Sequence, residues 1–137
     1  MAIVGFEYTK ISVEKNDPVS GKIHVANSVN IKRVERNDLA LGKTSQSGLK
    51  FVFEYNSVYN PNFAKITLGG LVLVLQDEKI VQEVLDGWTK EKKIKKEVLE
   101  NVINMILMRC NVQSLILSST VNLPPPGPMP KVKSSAQ

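Results

Sequence analysis

The hydrophobic pattern of this 137-residue chain changes its period at Leu75, and that change constrains the fold more than any other feature. Before Leu75, large apolar side chains recur at every second residue, as in residues 49–55, which is typical of strands with one buried face. After Leu75, they recur at the helical spacing of three and four residues. The sequence therefore predicts an α+β fold, in which a four-stranded antiparallel meander carries two C-terminal helices packed on one face.

Turn-forming segments separate the predicted strands. Residues 16–21 and 56–62 each contain a proline, and residues 42–48 are polar with a glycine at both ends. The apolar parity also switches near Thr9 and Lys10, which indicates a β-bulge or a bend in the first strand. Connections this short favour pairing between strands that are neighbours in the chain.

The fourth predicted strand is apolar on both faces in its second half, where Leu71, Leu73 and Leu75 lie opposite Val72 and Val74. Two helices cover only one face of a sheet. The uncovered leucines, together with two methionines in the second helix and residues 115–117, form more apolar surface than a monomer normally exposes. We therefore expect a homo-oligomer, either a dimer or a tetramer, that packs through sheet edges or the second helix.

The C-terminal end contains five prolines within residues 124–130. We divide the chain into one α+β domain, residues 1–123, and a proline-rich strap and tail, residues 124–137. Pro125 and Pro128 form a PxxP element, but the next basic residue, Lys131, lies one position too late for the common ligand form. We therefore expect the strap to lie against its own domain or a neighbouring subunit, where it could also cover the extra apolar surface within one chain.

Composition argues for a cytoplasmic protein. Cys110 is the only cysteine, so the chain has no internal disulfide, which fits a reducing compartment. The first residues lack the basic and apolar regions of a signal peptide, and no apolar run approaches the roughly 20 residues that span a bilayer. No membrane association is expected.

The sequence carries no catalytic or metal-binding signature. His24 is the only histidine and lies on the polar side of a strand, which gives a poor transition-metal site. Cys110 falls on the apolar stripe of the second helix, as an ordinary buried cysteine does. Gly69 and Gly70 lie within a strand and precede no helix with a phosphate-binding lysine. We predict a protein that is not an enzyme and holds no cofactor.

Two binding functions remain. The first is the holding of apolar, unfolded polypeptide by a chaperone-like surface. Its predicted peptide-binding residues are Phe51, Phe53, Tyr55, Leu71, Leu73, Leu115 and Leu117. The second is RNA binding through the basic cluster Lys90, Lys92, Lys93, Lys95 and Lys96, which contributes to the net charge of +5. A structural subunit of a larger assembly is a third alternative.

Three segments of the second half resemble the SecB-type export chaperones: residues 103–109, residues 115–117 and residues 121–123. In that family the long helix ends in a Val/Leu-x-x-Arg stretch, and Leu-x-Leu and Val-Asn-Phe elements follow. The resemblance implies a SecB-like fold and an oligomer that holds peptide. The family's Phe-Pro pair is replaced here by Val112-Gln113, and its acidic docking face has no counterpart, so no role in export is implied. The chain also resembles small archaeal-type proteins that carry no assigned activity.

Overall fold

The computed structural model describes residues 1–16 and 22–127. Over these residues the chain forms an α+β fold with a four-stranded antiparallel sheet and two C-terminal helices, so the predicted class is confirmed. The elements are β1 (Ala2–Lys15), β2 (His24–Arg36), β3 (Leu39–Leu41), β4 (Thr44–Gln46), β5 (Gly48–Asn60), β6 (Ala64–Leu75), α1 (Glu78–Glu91) and α2 (Lys96–Thr120).

The strand order is β1-β6-β5-β2, which corrects the predicted meander. The pairs β2–β5 and β5–β6 join strands that follow each other, as the short connections predicted, but β1 pairs with the last strand. This is the Greek-key order, and β1 and β2 form the two edges of the sheet. The segment predicted to be a polar loop before β5, residues 42–48, contributes the turn and the second strand of a small hairpin, β3–β4.

Bulges adjust the long edge strands to their partners. The pairing of β1 with β6 shifts between Tyr8 and Lys10, which confirms the predicted bulge, and shifts again between Ile3 and Gly5. A further shift in β2 follows Ile31. Each bulge adds one unpaired residue and therefore changes which side chains face the helices.

One face of the sheet and both helices enclose the core. Within each of β5 and β6, the large apolar side chains of the core lie on the same parity and point at the helices. The fully buried side chains of this core include Leu49, Phe51, Phe53, Tyr55, Tyr59, Ile66, Leu68, Val72, Val74, Val81, Val84, Val102 and Ile106.

The long helix α2 contacts the sheet along a line of every fourth residue. The buried positions are Val98, Val102, Ile106, Cys110, Ser114 and Ser118. A row with this spacing is inclined to the helix axis, so the contact line winds around α2 as the helix crosses the sheet. The apolar segment that follows Cys110 continues α2 to Thr120 without a break.

The start of α1 is attached to the sheet through Glu78. Both guanidinium nitrogens of Arg36 donate to its carboxylate, at 2.9 and 2.8 Å, and the hydroxyl of Ser47 donates to it as well. The Arg36 hydrogen bond, followed by that of Ser47, holds the pKa of Glu78 below its usual value. Asp77 occupies the N-cap position of α1, but its side chain makes no capping hydrogen bond.

The first part of the proline-rich strap lies against its own domain. The hydroxyl of Tyr59 donates to the carbonyl of Pro124 at 2.6 Å, and the Asn27 amide donates to the carbonyl of Pro126 at 2.8 Å. Pro126 is buried. Burial raises the pKa of Tyr59 to about 12, so this hydroxyl keeps its proton at neutral pH. The rest of the PxxP element, from Pro128 onward, lies outside the described residues.

Candidate functional site

The predicted peptide-binding residues do not form one surface. Phe51, Phe53 and Tyr55 are 0 to 1% exposed beneath the two helices, so a peptide bound at the surface cannot contact them. This part of the prediction is wrong, because the face of β5 that carries these rings is the face covered by the helices. Their size and regular spacing mark a core strand.

Leu71 and Leu73 lie on the opposite face of the sheet. They alternate with the buried Val72 along β6 and are half-buried, beside Val52 of β5. None of the three belongs to the core cluster between the sheet and the helices. We call Val52, Leu71 and Leu73 the sheet-face patch. Whether it binds peptide stays a prediction.

Leu115 and Leu117 lie near the C-terminal end of α2 and point in different directions. Leu117 packs against the core, as does Leu123 beyond the helix. Leu115 and Leu123 both line a groove of 390 Å³ between α2 and Pro125 of the strap. The strap therefore borders these residues within one chain.

A row of exposed apolar side chains on α2 is a feature that the sequence pattern did not isolate. Met108, Val112 and Ile116 are 58, 48 and 54% exposed. Like the buried row, they repeat at every fourth residue, but they lie two positions away from it and therefore on the far side of the helix. We call these three side chains the α2 ridge. The signal that could have found it is a second four-residue period within one helix.

The apolar surface continues from the α2 ridge to the edge strand β1. A groove of 370 Å³ between the two elements is lined by Met1, Ile3, Met105, Met108 and two asparagines of α2. Met1 and Val4 are 47 and 49% exposed at the start of β1. Met108 of the ridge and the first residues of β1 thus line the same groove.

The basic cluster lies at the junction of α1 and α2, where all five lysines are exposed. Three of them have acidic neighbours: Lys95 pairs with Glu83 at 3.1 Å, Lys93 with Glu91 at 3.8 Å, and Lys96 with Glu100 at 3.9 Å. Lys92 lies over the ring of Trp88, at 5.0 Å from its centroid. Lys90 is in the last turn of α1. RNA binding stays a prediction, and the acidic neighbours reduce the positive potential that it needs.

A third groove, of 590 Å³, lies between the edge strand β2 and the helix junction. We call it the junction groove. It is lined by the half-buried apolar side chains of Val29, Ile31, Trp88, Ile94, Leu99 and Ile103, and by Asn30, Lys92 and Lys93. Of these residues, only Lys92 and Lys93 were predicted from the sequence to be binding residues.

The chemically reactive side chains of the described residues include Cys110, Tyr8 and His24. Cys110 is buried in the core, and burial raises the pKa of its thiol to about 11, which suppresses the reactive thiolate. The hydroxyl of Tyr8 donates to the carbonyl of Arg109 at 3.0 Å, and burial raises its pKa. His24 is exposed on β2. Among residues 1–16 and 22–127, no group of three histidine, cysteine or acidic side chains could hold a metal ion.

The helix α2 is, by length and composition alone, long and apolar enough to cross a membrane. A core helix of a folded protein passes the same test. α2 contributes Val98, Val102, Ile106 and Cys110 to the core, and its first turn is charged. We therefore interpret α2 as a core helix with a second apolar side.

Comparisons of the chain with protein-family models, with curated proteins and with solved structures find no match. The resemblance to the SecB-type chaperones stays a prediction.

Proposed function

We propose that this protein is a non-enzymatic binding protein that acts as a homo-oligomer and holds apolar polypeptide segments. The observation that carries the proposal is the α2 ridge, three large apolar side chains that are about half exposed and continuous with the apolar start of β1. A monomer gains nothing from keeping such a region in water, because its burial is favourable.

A second copy of the chain fits the α2 ridge. Rows of every fourth residue on two helices interdigitate at a crossing angle of about 50°, a common arrangement of packed helices. A symmetric dimer places the same row of both copies at one interface, so Met108, Val112 and Ile116 would pack against their own equivalents.

The ridge alone makes a weak dimer. Full burial of a large apolar side chain contributes about 1.5–3 kcal/mol, and these side chains have about half of their surface left to bury. Three such residues from each of two copies therefore contribute about 6 kcal/mol, while association costs about 4–15 kcal/mol. A stable dimer also has to bury Met1 and Val4 at the edge of the sheet.

The sheet-face patch is the proposed surface for the polypeptide. Helices cover the other face of the sheet, so Val52, Leu71 and Leu73 remain available to a bound segment when the α2 ridge is occupied. Binding would occur by passive burial of apolar surface, at about 25 cal/mol for each Å².

Analytical ultracentrifugation tests the association, with Val112→Glu against the adjacent control Asn111→Glu. Both positions are exposed on α2, but only Val112 belongs to the ridge. We expect wild type and Asn111→Glu to sediment as oligomers, and Val112→Glu to shift toward the monomer. A wild-type chain that stays monomeric at high micromolar concentration contradicts the proposal.

Suppression of client aggregation, followed by light scattering, tests the holding of polypeptide. We expect wild type to suppress aggregation at a stoichiometric ratio, and the double variant Leu71→Gln/Leu73→Gln to lose most of that effect. Glu7→Gln, at an exposed residue that pairs with Leu71, is the control. An oligomer that suppresses no aggregation would instead support the structural-subunit alternative.

A further inference from the structure

The junction groove has the composition of a site for an amphipathic anion. Its volume of 590 Å³ falls within the range of small-molecule sites, which are mostly apolar with a few polar groups at defined places. Six half-buried apolar side chains form its walls, from β2, α1, α2 and Ile94 in the loop between the helices. Such walls offer an alkyl chain a continuous apolar surface.

Charge at the rim of the groove is of one sign. Among the described residues that line it, Lys92 and Lys93 are the only ionisable ones, and Asn30 adds a polar amide. Contact with the Trp88 ring holds the ammonium of Lys92 at 5.0 Å from the ring centroid, at the mouth of the groove. Glu91 approaches Lys93 only to 3.8 Å, and both side chains are mostly exposed, so this pair is weak and a ligand carboxylate can compete with it.

From this arrangement we propose that the junction groove binds an acyl carboxylate, with its alkyl chain along the apolar walls and its carboxylate between Lys92 and Lys93. The open backbone edge of β2 offers hydrogen bonds to a polypeptide segment, but only an acidic segment would also supply the anion that Lys92 and Lys93 call for. The chain's own C-terminal end is also disfavoured, because residues 128–137 carry Lys131 and Lys133 and no acidic side chain.

This site is separate from the surfaces of the proposed function. Leu99 and Ile103 line the groove on the side of α2 that faces β2, whereas the α2 ridge lies beside β1. Acyl binding can therefore be present or absent whatever the oligomeric state.

The fluorescence of Trp88, the only tryptophan, reports occupancy directly. We expect dodecanoate, titrated below its micelle concentration, to change the emission saturably, and decanoate to bind about tenfold more weakly because two fewer methylene groups are buried. Dodecyltrimethylammonium has a similar chain with the opposite charge and should bind much more weakly. Equal binding of the two dodecyl compounds overturns the proposal.

Substitution of the rim tests the role of the lysines. Lys93→Gln should weaken dodecanoate binding about threefold, whereas Lys96→Gln, at an exposed lysine outside the groove, should leave it unchanged. Calorimetry provides a second readout that does not depend on the environment of Trp88. The proposed acyl-carboxylate site is refuted if the two variants bind dodecanoate with identical affinity. It is also refuted if an acidic peptide changes the Trp88 emission saturably and dodecanoate does not.

Discussion

Two adjacent glycines of β6 should differ sharply in how much stability the same substitution costs. A Cβ atom on Gly70 would lie 2.2 Å from the carbonyl oxygen of Glu7 and 3.0 Å from Cζ of Phe53. A Cβ atom on Gly69 points to the other face, where its nearest neighbour is the Cβ of Lys10 at 3.3 Å. The same added methyl group is therefore blocked at one residue and nearly accommodated at the next.

The cost at Gly70 follows from what has to move. The Glu7 carbonyl must retreat by about 0.8 Å, from 2.2 to 3.0 Å, to reach the shortest separation found for real Cβ atoms. Phe53 is buried and cannot yield, so β1 must shift beside its bulge. Overpacking costs about 1–3 kcal/mol, and a weakened backbone hydrogen bond adds about 1 kcal/mol. We expect Gly70→Ala to lower the free energy of unfolding by about 2–4 kcal/mol.

Gly69→Ala should change the free energy of unfolding by less than about 1 kcal/mol. The free-energy cost of displacing Lys10 slightly is offset, because alanine lowers the conformational entropy of the unfolded chain relative to glycine. Urea denaturation followed by circular dichroism measures both variants, at one protein concentration so that any oligomer affects them equally. If Gly70→Ala is as stable as Gly69→Ala, the close approach of β1 to β6 is not as described.

Three further predictions concern individual side chains. Because the pKa of Glu78 is lowered in the folded state, its pair with Arg36 stabilises the fold above about pH 4.5, and this stabilisation is lost as pH falls through the folded-state pKa. The difference in free energy of unfolding between wild type and Glu78→Gln should therefore shrink below pH 4.5, as denaturation at a series of pH values would show. Cys110 should react with dithionitrobenzoate at pH 8 only after urea is added, and rapid reaction in buffer would contradict its burial. Tyr59→Phe should lower the free energy of unfolding by about 1 kcal/mol and should speed hydrogen exchange of the Leu123 amide. Unchanged exchange at Leu123 would contradict this prediction.

The sequence predicted the faces of the central strands correctly because their side chains alternate without interruption. In β6 it separated Ile66, Leu68 and Val72 from Leu71 and Leu73, and burial follows the same division. It did not predict the strand order. Pairing of β1 with β6 joins residues such as Ala2 and Leu75, and local hydrophobic patterns carry no information on a contact across that separation.

Two buried positions near the C-terminal end of α2 are polar, so the apolar row on its buried side stops at Cys110. Ser114 and Ser118 continue the row of every fourth residue after Cys110, yet hydropathy assigns serine to the surface. Their hydroxyls donate to the carbonyls of Asn111 and Leu115, at 3.1 and 2.9 Å, which satisfies them inside the fold. On the buried side of α2, the side chains change from aliphatic residues to serine. The sequence therefore shows no apolar stripe on that side over the last two turns.

The two rows of α2 also explain why repacking within one chain does not remove its exposed apolar surface. Successive residues are about 100° apart around a helix, so rows offset by two residues lie on nearly opposite sides. A rotation that buried Met108, Val112 and Ile116 against the sheet would bring Ile106 and Cys110 into water. Both sides of α2 can be covered only when something outside the described domain lies against one of them. This geometric constraint favours a second copy or another bound chain over an alternative fold of the same helix.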